Sequence, residues 1–91
     1  MPASGSVHHP RYAALQVHMR EMRESAGLTQ ADLAAALRVG QSFISKVERG
    51  ERYVDVTFYV DWCRSCQLDP PQALAKLLQT TQWDASARTG V

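Results

Sequence analysis

Apolar residues fall at Tyr12, Leu15, Met19, Met22 and Ala26, in steps of three and four that lay one stripe along a helix. Pro10 stands just ahead, where its missing N–H costs nothing, and Gly27 supplies a left-handed stop. Thr29 begins the next pattern, since its hydroxyl can cap a helix whose third residue, Asp32, reaches back as a short capping box. The spacing predicts that second helix over Gln30 to Leu37, with Leu33, Ala34 and Leu37 inward. Only Arg38, Val39 and Gly40 separate it from a third helix, Gln41 to Glu48, a connection suited to two helices meeting steeply. Arg49-Gly50 end that helix, and Glu51 to Asp55 form a polar connection. A fourth helix follows over Val56 to Cys66; Pro70-Pro71 forbid its continuation and permit a fifth, about Pro71 to Leu78.

No segment alternates apolar and polar long enough to make a sheet, and although Tyr53 to Val60 is rich in β-formers, its neighbours favour a helix. The fold class is therefore all-α, a compact five-helix bundle. Residues 1–9 and 80–91, rich in Ser, Thr, Gly and Ala, have little to bury and are expected to be tails around a domain at 10–79, the second tail entering a dimer contact if one forms. At 91 residues and 45% apolar content the chain supports one core and not two.

Short apolar runs exclude a membrane-spanning helix, and MPASGSVHHP lacks the flank and apolar stretch of a secretion signal, so a cytoplasmic location is expected. A formal charge of +1 is no general attraction for a polyanion. Any phosphate-binding face must be local, with a modest salt dependence. Cys63 and Cys66 are the only cysteines and have no second pair of ligands nearby, so no metal and no cofactor is expected, and both read as small core residues.

On a wheel of about 100° per residue, Val47 and Glu48 fall beside Ile44 in the third helix, while Ser42, Ser45, Lys46 and Arg49 share the opposite arc, flanked by Gln41 and Phe43. A DNA major groove admits a helix with so slim a face. Gln bonds bidentately to adenine, Ser serves several bases, Lys reaches guanine or phosphate, and Phe43 can meet a thymine methyl. A solvated helix surface would account for the same polarity.

The stretch GLTQADLAAALRVGQSFISKVERG closely resembles the helix-turn-helix of the phage Cro and repressor group, also called the XRE family. Counted from Gln30, that motif has glutamine first, alanine fifth, glycine ninth and β-branched residues fifteenth and eighteenth; this chain has Gln30, Ala34, Arg38, Ile44 and Val47. The looser likeness runs over residues 12 to 78. It implies a lambda-repressor-like bundle whose second and third helices form the motif, and double-stranded DNA as the partner. Ala34 is small because the third helix crosses it. Gln30 matches a glutamine that contacts a phosphate and braces the next helix at Gln41; Arg23 and Glu48 match an internal salt bridge. Arg38 departs from the family's glycine: either the turn relaxes with Gly40 taking the strain, or Arg38 compensates by reaching phosphate.

The base-reading candidates are thus Gln41, Ser42, Phe43, Ser45 and Lys46, with Gln30, Arg38, Arg49 and Arg52 as phosphate contacts, although Arg52 reads equally well as a surface cation. One short helix reads too few base pairs to select a site, so family members usually pair on two half-sites, and a homodimer on a palindromic operator is expected. With Val56, Tyr59, Val60, Cys63 and Cys66 as the core stripe, Phe58 and Trp62 turn outward and, with Leu77, Leu78 and Trp83, are candidates for the dimer contact. The leading expectation is a DNA-binding transcriptional repressor; the competing one is an antitoxin or adaptor whose main partner is another protein. An enzyme is not expected: His8, His9 and His18 lie in or near the leading tail with no nucleophile and carboxylate beside them.

Overall fold

The computed structural model describes residues 9–80 and Trp83; the remainder of both expected tails lies outside the described residues. Five helices follow in order, α1 (Pro10–Ser25), α2 (Gln30–Leu37), α3 (Gln41–Glu48), α4 (Val56–Ser65) and α5 (Pro70–Leu78), with no strand among the described residues. His9 belongs to the folded part rather than to a tail: its Nδ1 accepts the Arg11 N–H at 3.1 Å and caps α1. The Thr29 hydroxyl accepts from the Asp32 N–H at 3.0 Å while the Asp32 carboxylate accepts from the Thr29 N–H at 3.0 Å, a complete capping box on α2. The Thr29 N–H, first, and its hydroxyl hold the Asp32 carboxyl below its usual range. Asp55 and Asp69 cap α4 and α5 through the N–H groups of Phe58 and Gln72.

Four of the helices stop by one device, a left-handed residue followed by a paired return of two N–H groups to the last turn. At α1 Gly27 (φ 75°) serves, with Gly27 N–H to Glu24 and Leu28 N–H to Arg23; at α3 Gly50 (φ 77°), with bonds to Val47 and from Glu51 to Lys46. A Cβ at Gly50 would meet the end of the Gln16 side chain of α1, which would have to swing aside, and the left-handed backbone there further favours glycine. At α2 and α4 the same role falls to Arg38 (φ 60°) and Gln67 (φ 61°). Gly40, by contrast, has φ −75° and ψ 152°, a conformation open to any residue. The turn has not relaxed, and Arg38 itself carries the strain. Arg38→Gly should therefore stabilise the domain by about 1 kcal/mol, read as a higher urea midpoint at unchanged slope.

α3 packs on α2 and α1, α2 on α4, and α5 on α4 and α1. Met19, Leu33, Ile44, Trp62 and Cys63 fill the centre, with Ala34 buried beneath α3 as its small size requires. Cys63 and Cys66 are buried free thiols, and burial pushes Cys66 up to about 11. His18 is buried with its Nε2 2.8 Å from the Tyr59 hydroxyl, and burial lowers its pKa, keeping the ring neutral. The connection after α3 is tied to α1 by the Val54 N–H, which donates to the Tyr12 hydroxyl at 2.6 Å, and by the edge of Tyr12 against Tyr53.

Four expectations need correcting. Trp62 does not turn outward: it is 0% exposed, and its indole N–H donates to the Met19 carbonyl at 3.0 Å. The buried stripe of α4 is Tyr59, Trp62, Cys63 and Cys66, spaced by three, one and three; Val56, at the first position, is 77% exposed. The stripe inferred from the sequence was phased on Val56 and Val60, one column aside, because aliphatic and aromatic residues occur on both columns. Leu77, 2% exposed, is likewise core, which removes Trp62 and Leu77 from the dimer candidates. Ala26 is exposed beyond the end of α1.

Candidate nucleic-acid interface

α3 is eight residues long and has no side-chain cap at Gly40, so its position depends on tertiary anchors. Ile44 and Val47 supply the apolar ones. Glu48 supplies the polar one: its carboxylate accepts from Arg23 Nε at 2.6 Å and Nη2 at 3.0 Å, a bidentate pair between α1 and α3 with both partners buried. Arg23 Nη1 also donates to the Leu28 carbonyl at 2.8 Å, and Gln30 Nε2 donates to Glu48 at 3.0 Å. The bond thus runs from Gln30 to Glu48 rather than to Gln41, so α2 braces the far end of α3, not its beginning. The Glu48 bond holds the Arg23 guanidinium above its ordinary pKa.

With that inner face fixed, Gln41, Ser42, Lys46 and Arg49 are exposed and Ser45 half-buried. Phe43 is different. Its ring packs edge-on against Phe58 at 5.3 Å, the Arg52 guanidinium lies 4.7 Å from its centroid, and Phe58 continues to Trp62 at 5.8 Å. Phe43 is therefore withdrawn from the outward arc into a ladder of rings that joins α3 to the core, with Arg52 as its lid. The helical wheel placed Phe43 at the boundary, and only its neighbours on α4 decided which way it went.

The cations also sort by environment. Arg52 is held beside α3 by the Phe43 ring. Arg49 donates through Nε and Nη2 to Glu51 at 2.9 and 3.1 Å, and through Nη1 to the Ser45 hydroxyl. Arg38 borders a cleft with Asp61 and Arg64 of α4 to which no residue of α3 contributes. Glu51 had not been singled out from the sequence, although Gly50 was a legible sign that the chain folds back there. Of the dimer candidates, Phe58 is half-buried in the ring ladder, Leu78 is 43% exposed, and Trp83 lies half-buried with the Arg11 guanidinium 5.0 Å from its ring. Val56, Leu74 and Trp83 border an open apolar groove of about 460 Å³ between α4 and α5.

No helix among the described residues is long and apolar enough to cross a membrane. A family model described as a helix-turn-helix domain matches residues 14–77. Among solved structures, an XRE-family like protein from Pseudomonas syringae pv. tomato str. DC3000 is 43% identical, with 89% of this chain and 99% of that one covered and a TM-score of 0.75. The clp gene regulator ClgR from C. glutamicum is 26% identical, with 79% and 92% covered and a TM-score of 0.68. No curated protein matches. A domain match over most of the chain, a relative aligned along nearly its whole length, and the buried Arg23–Glu48 pair beneath an exposed α3 agree: the chain belongs to the XRE family of helix-turn-helix proteins, DNA-binding regulators of transcription.

Proposed function

We propose that this protein is a repressor that binds a palindromic operator as a homodimer, laying α3 of each copy in the major groove. The observation that carries the reading is that Gln41, Ser42 and Lys46 stand exposed on a helix whose opposite side is fixed at Ile44, Val47 and Glu48. A rigid, narrow ridge presents hydrogen-bonding groups to base edges without having to order itself on binding. In this reading Gln41 takes an adenine, Ser42 and Ser45 serve adjacent bases, and Lys46 reaches a guanine or a phosphate. Arg49 and Arg52 supply the phosphate contacts together with the free capacity of Gln30, whereas the position of Arg38 beside α4 makes it the weakest of the four candidates.

Pairing is supported by apolar surface that the monomer leaves open. Val56 and Leu74 are exposed around one groove, and a two-fold contact there would cover the same patch on both copies. Occupation of a promoter by such a pair would exclude polymerase, hence repression.

Selection of bound sites from random DNA tests the whole reading, with a palindrome of half-sites one helical turn apart as the expected result. On the selected duplex, Gln41→Ala with Lys46→Ala should lose about a hundredfold in preference over a shuffled duplex, since each base contact is worth roughly 1–3 kcal/mol. An unchanged preference in a folded double variant would remove α3 from the reading role. Co-purification of a different protein in fixed ratio through the Val56–Leu74 face would replace the homodimer with a heteromeric regulator.

A further inference from the structure

The Arg49 guanidinium has three nitrogens, and its own chain engages every one. Nε and Nη2 form two parallel bonds with the Glu51 carboxylate, the fork that a phosphate would otherwise fill, and Nη1 donates to Ser45. Glu51 is not there by chance of rotamer. Gly50 at φ 77° turns the backbone, and the Glu51 N–H closes on the Lys46 carbonyl at 2.8 Å, which fixes residue 51 over the last turn of α3. Lys46 adds a second positive charge nearby, and together the cations hold the Glu51 carboxyl below its usual range. A carboxylate therefore sits, fully ionised, beside the groups that face DNA if α3 is the reading helix.

We propose that Glu51 is an internal stand-in for a DNA phosphate, neutralising Arg49 until a duplex displaces it, and that it thereby sets the affinity and salt dependence of binding. The proposal rests on the reading of α3 given above. An exposed ion pair is weak, so the exchange is open to DNA. It is not free, because Arg49 gives up one anion for another and the released carboxylate is left near the duplex. The contact that Arg49 makes thus adds little net attraction to any sequence, and discrimination passes to the base edges. Because phosphate contacts act on all duplexes alike, removing Glu51 should strengthen binding without altering preference.

Anisotropy titrations of the full chain, with the selected duplex and with a shuffled one, over salt from about 0.05 to 0.3 M, test this. Glu51→Gln is expected to bind both duplexes several-fold more tightly, up to about eightfold at 0.1 M salt, with the log–log salt slope steeper by about one, as one further neutralised phosphate requires. In an Arg49→Gln background the same substitution should have no comparable effect. A Glu51→Gln variant with unchanged or weaker binding overturns the proposal, and so does a gain that survives in full without Arg49, which would make Glu51 a general repulsive charge. A merely structural role for Glu51 would lower the melting temperature and weaken binding together. Loss of preference in the wild-type protein would instead overturn the reading of α3, while the slope change would still report on Glu51; a wild-type protein that binds neither duplex overturns both.

Discussion

Arg23→Met should cost the domain about 3–5 kcal/mol, because it leaves the Glu48 carboxylate buried with only the Gln30 amide for company. Small domains are stable by about 5–15 kcal/mol in total, so much of the margin disappears. For a domain of this size each kilocalorie shifts the melting temperature by about 4–8 °C, and a fall of at least about 12 °C is expected by circular dichroism. Arg23→Met combined with Glu48→Leu should recover a large part of the loss, since an apolar pair carries no uncompensated charge. The Arg23→Met effect extends beyond stability. Glu48 lies on α3 and has no exposed role of its own, so a loosened pair should weaken DNA binding at temperatures where α1, α2 and α4 remain folded. A cost below about 1 kcal/mol for Arg23→Met would mean that Ile44 and Val47 alone hold α3 in place.

Trp62→Ala is expected to be of similar size, about 3–5 kcal/mol, through the cavity it opens between α1 and α4. Trp62→Phe keeps most of the volume and should cost much less, chiefly the indole bond to the Met19 carbonyl and some packing. Urea denaturation resolves the two. The same pair of variants separates the core position from the surface role that the sequence had suggested: a tryptophan at a dimer contact would alter self-association measured by sedimentation and leave the monomer's stability nearly intact.

Much of the local structure was legible because it is written in local chemistry. The bounds of α2 and α3 follow from Thr29 with Asp32, from Gly40 and from Gly50, each of which acts within a few residues of itself. The outward arc of α3 was equally plain, since a helix of fixed period needs only two apolar anchors to define which side is out. The salt bridge between Arg23 and Glu48 was accessible only through the family likeness, because nothing within either helix reveals a partner 25 positions away.

What the sequence by itself determined was therefore the all-α class, the helix ends, and the ridge of Gln41, Ser42 and Lys46. Only the tertiary structure decided that Trp62 and Leu77 are core, that Phe43 joins Phe58 and Arg52 instead of standing free, that Arg38 bears a left-handed backbone, and that Glu51 occupies Arg49. The division has a physical cause. Caps, stops and periodicity are set by neighbours along the chain, whereas the phase of an apolar stripe with two plausible columns, and the partner chosen by a long charged or aromatic side chain, depend on which surfaces the other helices bring into reach.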